Sequence, residues 1–280
     1  MAVIASLHIY PVKSCRGIDL DAASLGRAGL ESQGAGDREW MVVEGNGRFL
    51  TQRETPRMAL IAPALEAGAL VLRAPGMEAL HLPLELPFGR PASMAVLVWN
   101  HACRAFDEGD RAAQWLSQYL GRTARLARFD PAHKRTSNRE RTGGTEALNR
   151  FSDGYPMLMV SRASLDDLNN CLQENGREAL PMNRFRPNIV IDDVGPFDED
   201  RFVSLTAGEV VLKPVKPCPR CPIPSIDQDT GMRGPDPLDI LARYRDDPAL
   251  GVIFGQNTIA AGGIGTTLRI GQRFETEWNF

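Results

Sequence analysis

The chain has 280 residues, of which 43% are hydrophobic and 24% charged, and its formal net charge is -3. This composition predicts a globular chain with one large domain or two small ones, and it excludes a basic surface for nucleic acid or an anionic membrane. Five cysteines form a sparse, odd set, so we expect no disulfide framework and a reducing, cytoplasmic location. The N-terminus lacks a signal-peptide pattern, and we expect no membrane span.

Short strands are predicted throughout the first 128 residues. Residues 2–10 alternate between apolar and polar side chains, which indicates a half-buried strand that stops at Pro11. Gly45, Asn46 and Gly47 favour a hairpin turn between two more strands. A helix over residues 108–120 is predicted to end at Gly121. The predicted strands cover residues 39–44, 48–52, 70–73, 79–82, 95–99 and 123–129, and Pro75-Gly76 predicts a second hairpin between 70–73 and 79–82.

Two early segments offer positive charge. Residues 11–17 place the Lys13 ammonium and the Ser14 hydroxyl in a turn with several backbone amides, which is a candidate anion site, although such a lysine is often only solvated. Arg38 follows Asp37 and precedes a strand. The simplest interpretation of that pair is a surface ion pair, which contributes little to stability.

The second half is predicted to begin with a long basic loop. Residues 130–147 have no apolar period and are interrupted by glycine, so we expect a mobile loop of the kind that is often functional. Ser164 and Asp167 have the spacing of a capping box and predict a helix start, with Leu165, Leu168 and Leu172 on the buried face. The remaining elements are strands over 157–160, 189–191, 210–215, 251–261 and 267–274 and a helix over 238–245. Such short strands, separated by glycine and proline turns, predict a β-rich α+β fold with a barrel.

The segment 216–231, KPCPRCPIPSIDQDTG, holds the most reactive residues. Cys218 and Cys221 have C-x-x-C spacing around Arg220, and Lys216 precedes them. A rigidly held thiol beside these cations should have a lowered pKa, and its thiolate is a soft metal ligand. Beyond the pair, Asp227 and Gly231 predict a turn.

Four interpretations of this cysteine pair stay open on the residues alone. A structural zinc site needs four ligands, and no second C-x-x-C or histidine pair supplies them. A thioredoxin-like redox pair usually opens a helix, which the prolines here disfavour. The pair could also be two buried thiols in a proline-rich turn, or it could supply a single metal-ligating thiolate.

Six motifs in register then give the chain a family resemblance. They are IYPVKSCRGI (9–18), DREW (37–40), FSDGYP (151–156), RFRPNIV (184–190), PCPRC with DTG (217–231) and FGQN (254–257). In this order they resemble the MOSC family, the molybdenum cofactor sulfurase C-terminal domain proteins with an N-terminal β-barrel domain. Within that family the chain is most similar to the mitochondrial amidoxime reducing components and to bacterial reductases of N-hydroxylated base analogues. The resemblance implies an N-terminal β-rich domain over 1–128 and a MOSC β-barrel over 129–280, with the first segment packed on the barrel because the implied site draws on both halves.

The resemblance also implies a site for the molybdenum cofactor, a pterin-bound molybdenum. Cys221 is the implied metal ligand and catalytic residue. Asp227 is a candidate proton relay, with a purely structural turn as the alternative. The implied cofactor-binding residues are Lys13, Ser14, Arg38, Asp153, Tyr155, Arg186, Asn188, Arg220 and Asn257.

The activity implied by the resemblance is removal of oxygen from N-hydroxylated small molecules such as amidoximes, hydroxylamines and N-hydroxylated bases. The alternatives are a non-catalytic carrier of the cofactor and a sulfur-transfer domain that holds a persulfide on Cys221. No cysteine follows Cys221 and no strand leads into a G-x-G-x-x-G motif, so we expect electrons from a separate protein, ferredoxin-, flavodoxin- or cytochrome b5-like with its reductase. The basic residues within 134–141 are a candidate docking surface for such an acidic partner.

Overall fold

The computed structural model describes residues 1–86 and 93–279, and within them it is rich in β-structure. Three α-helices accompany the strands: α1 (Asp110–Leu120), α2 (Arg162–Glu174) and α3 (Leu238–Leu241). In chain order the strands are β1 (Ala2–Ile9), β2 (Val12–Lys13), β3 (Ile18–Leu20), β4 (Ala22–Gly26), β5 (Gly29–Ser32), β6 (Ala35–Gly36), β7 (Trp40–Val43), β8 (Ala62–Glu66), β9 (Ala69–Arg73), β10 (Leu80–Pro83), β11 (Ser93–Val98), β12 (His101–Asp107), β13 (Arg125–Phe129), β14 (Met157–Ser161), β15 (Ile189–Asp192), β16 (Phe202–Ala207), β17 (Val210–Pro219), β18 (Asp246–Asp247), β19 (Gly251–Gly262), β20 (Thr267–Arg269) and β21 (Arg273–Trp278).

Seven of these strands close into a barrel. The order is β14, β15, β1, β21, β16, β17 and β19, and β19 pairs back onto β14. Alternate side chains point inward and fill the barrel, as the period of two requires. Leu7, Met159, Ile191, Leu212 and Phe274 all belong to this buried cluster. The predicted β-rich fold with a barrel is confirmed.

The first strand belongs to the barrel made mainly by the second half of the chain. Strand β1 pairs with β15, where Leu7 faces Ile189, and with β21, where Ala2 faces Phe274. Strand β20 in turn pairs with β4, within a four-stranded sheet whose other strands come from the first half. Each half of the chain therefore contributes a strand to a sheet of the other half. The residues that directly follow β1 lie at one end of the barrel.

The first half adds two further sheets and a helix. A five-stranded sheet has the order β11, β12, β13, β7, β2, and a three-stranded sheet has the order β10, β9, β8. Helix α1 packs Trp115, Leu116 and Tyr119 into a second buried cluster around Trp40. Gly121 ends this helix in the left-handed conformation, as predicted from the sequence. The predicted second hairpin, β9 with β10, is also confirmed.

Several local predictions are wrong: the helix predicted over 238–245 ends at Leu241, and the strand predicted over 267–274 is interrupted between β20 and β21. Residues 48–52 form no strand, because Arg48 and Phe49 each make only one isolated β-bridge. The Thr51 carbonyl then accepts hydrogen bonds from the amides of Glu54 and Thr55, which form a turn. Helix α2 starts three residues earlier than predicted, because the Ser161 hydroxyl caps it by accepting from the Ser164 amide. The Ser164 hydroxyl instead donates to the buried Glu199 carboxylate.

The loop predicted over 130–147 lacks regular strands and helices, but one residue anchors it. Arg135 is buried, and its guanidinium donates to the carbonyl oxygens of Arg150, Ser152 and Asp153 at 2.5 to 2.9 Å. The basic segment is therefore tied to the turn that precedes β14. No helix in the described part of the chain is long and apolar enough to cross a membrane.

Strand β17 extends beyond the predicted residues 210–215 and runs through three prolines to Pro219. Its pairing with β19 shifts register three times, twice beside prolines, because proline has no amide hydrogen for the ladder. Bulges of this kind change the direction of side chains at the end of a strand. Lys216, Cys218 and the residues after them consequently reach the same end of the barrel as Lys13.

Candidate functional site

One cavity of about 300 Å³ collects ten of the eleven residues that the sequence predicted for the site. It lies where β2 and the turn before β7 meet the ends of β14, β15, β17 and β19. The predicted residues that line it are Lys13, Ser14, Arg38, Asp153, Tyr155, Arg186, Asn188, Arg220, Cys221 and Asn257. Asp227 is the one that does not line it.

A buried hydrogen-bond network holds the Arg38 side chain in place. Its Nη1 donates to Asp37 Oδ2 at 2.6 Å and to Asn188 Oδ1 at 3.1 Å, and the Asp37 side chain is 1% exposed. Asn188 also donates to Asp37 and to the His8 carbonyl. The Asp37–Arg38 pair is therefore not the surface ion pair that the simplest interpretation suggested. Asn188 positions Arg38 and has little hydrogen-bonding capacity left for a ligand.

Arg186 differs from Arg38, because it is a buried cation that forms no ion pair with any described residue. Its guanidinium lies over the Tyr10 ring, with Cζ 4.3 Å from the centroid, and in residues 1–86 and 93–279 no oxygen accepts a hydrogen bond from it. Desolvation lowers the pKa of Arg186 to about 10, despite the opposing effect of Tyr10. Burial also raises the pKa of Tyr10 to about 12, so the phenol stays neutral and donates to the Pro187 carbonyl. A buried guanidinium with free donors is a site for an anion.

Lys13 and Asp153 form the other strong pair of the cavity. Lys13 Nζ donates to Asp153 Oδ1 at 2.7 Å and to the Phe151 carbonyl at 2.8 Å. Desolvation lowers the pKa of Lys13, although Asp153 opposes this. Desolvation would raise the pKa of Asp153, but the charge and hydrogen bond of Lys13, with the Trp99 indole, hold it well below its usual range. Asp153 is therefore a carboxylate, and Lys13 is already neutralised.

The two cysteines have different surroundings. Arg220 Nη1 donates to Cys218 Sγ at 3.4 Å, and its Nη2 donates to the Phe185 carbonyl at 3.0 Å. Burial raises the pKa of Cys218 although Arg220 opposes it, so the lowered pKa expected of a thiol in this pair is wrong for Cys218. Cys221 lies half-buried on the cavity wall, and no described residue forms a hydrogen bond with its sulfur. Cys221 is the thiol that is free to bind a ligand.

Asp227 serves a turn outside the cavity. Its Oδ1 accepts from the amides of Asp229 and Thr230, and its Oδ2 pairs with Arg184 at 2.7 Å. The hydrogen bond from Thr230 is the main cause that lowers the pKa of Asp227. The turn predicted over this segment is present, whereas the proton-relay role predicted for Asp227 receives no support from its position.

Sequence reasoning missed several residues of the cavity. Lys216 lines it, and in the described part of the chain its ammonium has neither an ion pair nor a hydrogen bond. Arg53 and Trp99 form its rim, where Arg53 Cζ lies 4.5 Å from the indole centroid. The only sequence signal for Lys216 was its place beside the cysteine pair, and Arg53 and Trp99 carried none. In total six basic residues and one acidic residue line the cavity, so its charge is strongly positive.

Among the lining residues, three of the predicted site residues and Trp99 have an unusual backbone. Ser14, Arg38 and Arg186 have φ angles of 64°, 47° and 57°, a region in which side chains other than glycine are uncommon. Strain of this kind persists only where the surrounding structure enforces it, and it concentrates at functional sites. Here each of these residues turns its side chain toward the same cavity.

The side chains of the cavity fit a thiolate-bound metal with an anionic, polar organic group. Within the described residues no three or more His, Cys, Asp or Glu come together to hold a metal ion, so a four-ligand zinc site finds no support. A single thiol, Cys221, can serve a metal whose other ligands come from a cofactor. Within residues 1–86 and 93–279 the buried Nε of Arg220 and Oγ1 of Thr51 have no hydrogen-bond partner, and both residues line the cavity. Such orphaned groups are expected where a polar ligand completes a site.

Comparison with known proteins gives the class to which this fold and site belong. Residues 1–123 match the model of the MOSC N-terminal beta barrel domain, and residues 147–275 match that of the MOSC domain. The chain belongs to the MOSC family, as its motifs predicted.

Among its relatives, the bovine (Bos taurus) mitochondrial amidoxime reducing component 2 is 35% identical over 256 residues, which cover 88% of this chain and 73% of that protein. Human (Homo sapiens) mitochondrial amidoxime-reducing component 1 is 34% identical over 272 residues, covering 92% and 77%. The bovine molybdenum cofactor sulfurase is 32% identical over 262 residues, covering 87% of this chain but 29% of that protein.

Proposed function

We propose that this protein is an oxidoreductase that uses the molybdenum cofactor to remove oxygen from N-hydroxylated compounds: amidoximes, hydroxylamines and N-hydroxylated bases. The observation that carries the proposal is the buried Arg186 guanidinium, which has no acceptor among the described residues, in the same cavity as the Cys221 thiol. A ligand that carries both an anionic group and a soft metal would bind both side chains, with the anion on Arg186 and the metal on Cys221. The names of the amidoxime reducing relatives support the choice of substrates.

The cations of the cavity divide into two groups with different roles. Lys13 and Arg38 already pair with Asp153 and Asp37, so they mainly position those carboxylates. The groups with free donors are the ones that would hold the phosphate and the polar ring system of the cofactor: Ser14, Arg186, Lys216 and Arg220. Arginine suits a phosphate because its planar fork donates two parallel hydrogen bonds, whereas lysine acts as a point charge.

The chemistry of the proposed reaction requires two electrons and two protons for each N–O bond that is cleaved to give water. When bound, the cofactor would supply the two-electron oxygen-atom transfer, with Cys221 as its protein ligand. The chain itself provides orientation, positive potential and protonated groups. Burial raises the pKa of Tyr155, so its phenol keeps its proton on Oη and can donate a hydrogen bond to an oxygen atom in the cavity.

The electrons are proposed to come from a separate carrier protein, ferredoxin-, flavodoxin- or cytochrome b5-like with its reductase. The basic segment 134–141 stays a candidate docking surface, but it offers fewer exposed cations than the sequence suggested. Arg135 is buried and unavailable, while Lys134, Arg139 and Arg141 are exposed. A cytoplasmic location also stays a prediction.

The direct test is steady-state reduction of benzamidoxime by the purified protein with reduced viologen as electron donor. We expect turnover with viologen and none with NADH alone. A carrier of the cofactor would contain molybdenum but would not reduce benzamidoxime under either condition. A sulfur-transfer domain would release sulfide or label as a persulfide on Cys221, an outcome that the sulfurase relative makes worth measuring. Either result in place of reduction would contradict the proposal.

A further inference from the structure

The rim of the cavity carries a tryptophan in an unfavourable backbone conformation. Trp99 lies in the tight turn between β11 and β12, where Val98 pairs with His101, and its φ angle is 55°. A bulky side chain is a rare occupant of this region, because its Cβ approaches the neighbouring carbonyl group. Glycine adopts the same conformation without strain. The turn itself therefore gives no reason for a tryptophan.

The indole is also held rigidly, although 45% of the residue is exposed. Its Nε1 donates to Asp153 Oδ1 at 2.9 Å. Phe49 meets it edge to face at a centroid distance of 5.2 Å, and Arg53 Cζ lies 4.5 Å from its centroid. A hydrogen bond, an aromatic neighbour and a cation thus fix the plane of the ring. Exposed aromatic side chains are normally free to rotate, so this immobilisation requires a reason beyond folding.

A fixed and partly open indole at the mouth of a polar cavity is suited to a flat ligand. Aromatic rings and nucleobases stack on such a surface without requiring a particular hydrogen-bond pattern. Trp99 and Cys221 line the same cavity, so a ring stacked on the indole stays within the compartment that holds the free thiol. A substrate without a ring cannot stack on the indole, and one as small as hydroxylamine has no apolar surface to place against it.

We propose that Trp99 is a stacking platform that gives the site its preference for planar substrates, namely aryl amidoximes and N-hydroxylated purine or pyrimidine bases. Trp99 determines specificity through substrate binding and is not the source of the redox chemistry. The inference rests on the proposed function for the identity of the substrates. The geometry that carries it is the strained, immobilised and exposed indole at the rim.

The test compares benzamidoxime, which carries a ring, with hydroxylamine, which does not. The variant is Trp99→Gly, because glycine accepts the positive φ and preserves the turn, and Trp99→Phe keeps a ring without the indole Nε1. The matched control is Leu97→Ala, a residue of the same hairpin that is 43% exposed and does not line the cavity. The measurements are the Kd of benzamidoxime by calorimetry, kcat/KM for both substrates, molybdenum content and melting temperature.

We expect Trp99→Gly to weaken benzamidoxime binding at least tenfold while kcat/KM for hydroxylamine changes less than twofold. Trp99→Phe should retain most of the affinity, and Leu97→Ala should match the wild type. Molybdenum content should stay at the wild-type value, and each variant should remain folded at the assay temperature.

Three results would overturn the platform. The first is an equal loss of kcat/KM for both substrates in Trp99→Gly, and the second is loss of molybdenum from that variant, which would assign the indole to the cofactor. The third is wild-type protein that does not bind benzamidoxime. Wild-type protein that binds benzamidoxime through Trp99 but never reduces it would contradict the proposed function and leave the platform intact.

Discussion

The guanidinium of Arg186 lies over the ring of Tyr10, with 4.3 Å between Cζ and the ring centroid. Arg38 contacts the same ring at 4.2 Å. One neutral aromatic ring thus separates and orients two like charges that would otherwise repel each other beside the cavity. This arrangement allows both guanidiniums to stay near a site where an anion is expected.

Tyr10→Leu should therefore weaken retention of the cofactor. Leucine fills space but offers no π-face, and a cation–π contact contributes about 0.5–2 kcal/mol, so we expect a roughly 2- to 30-fold weaker affinity. The measurement is molybdenum and pterin content after extensive dialysis. Tyr10→Phe is the matched control, because it keeps the ring and loses only the hydrogen bond to Pro187. Equal losses in both variants would assign the effect to that hydrogen bond instead of the ring.

The two cysteines should behave differently when each is replaced by serine. Cys221→Ser should lose molybdenum and activity, because a hydroxyl is a much poorer soft-metal ligand than a thiolate. Cys218→Ser should retain the metal, since the Cys218 thiol is already bonded to Arg220 and its raised pKa keeps it protonated. Metal analysis of both variants checks this. Equal loss from both would indicate that the pair acts as a unit.

The Asp153–Lys13 pair should make stability depend on pH at the acidic end. The pKa of Asp153 is lower in the folded protein than in the unfolded chain, so its stabilising effect is present above the ordinary value of 3.8 and is lost as the pH falls further. The free energy of unfolding should therefore differ between wild type and Asp153→Asn at pH 7, and the difference should shrink below about pH 4. Urea titrations from pH 7 to pH 3 measure it. A difference that stays constant over this range would contradict the assigned ion pair.

Gly255 should tolerate substitution poorly, because it closes the barrel between β14 and β19. Its φ is +76°, and an added Cβ would meet Val160 Cγ2 at 2.7 Å and the Met159 carbonyl oxygen at 2.8 Å. Gly68 is a matched control with φ +77°, and no atom of the described residues lies within 4 Å of the Cβ that alanine would add. We expect Gly68→Ala to cost roughly 1–2 kcal/mol from the backbone alone, and Gly255→Ala about 1–3 kcal/mol more from overpacking. Chemical denaturation of both variants gives the difference, and equal costs would contradict the close contact.

The sequence was sufficient where the signal is local. The i, i+4 apolar spacing of Trp115 and Tyr119 with Gly121 at the end predicted helix α1, and the Pro75-Gly76 turn between two short strands predicted the β9–β10 hairpin. The family motifs predicted ten residues that do line one cavity. Motifs succeed here because each one holds a short stretch of backbone at the site, even when the stretches are far apart in the chain.

The rest depends on packing that local patterns do not contain. Ser164 was predicted to cap helix α2, but its hydroxyl donates to the buried Glu199, and Ser161 caps the helix instead. The cations beside the cysteine pair were expected to lower the thiol pKa, yet Arg220 donates to Cys218, whose pKa is raised by burial. Trp99 had no sequence signal at all, since its role depends on Asp153, 54 residues away.

The central claim is that this cavity holds a cysteine-bound molybdenum cofactor. Its most direct test is the molybdenum content of the chain purified from a host that makes the cofactor. The account predicts close to one molybdenum per chain in the wild type, a reduced content in Arg186→Ala and none in Cys221→Ser. Wild-type protein without molybdenum, or with zinc in its place, would contradict it.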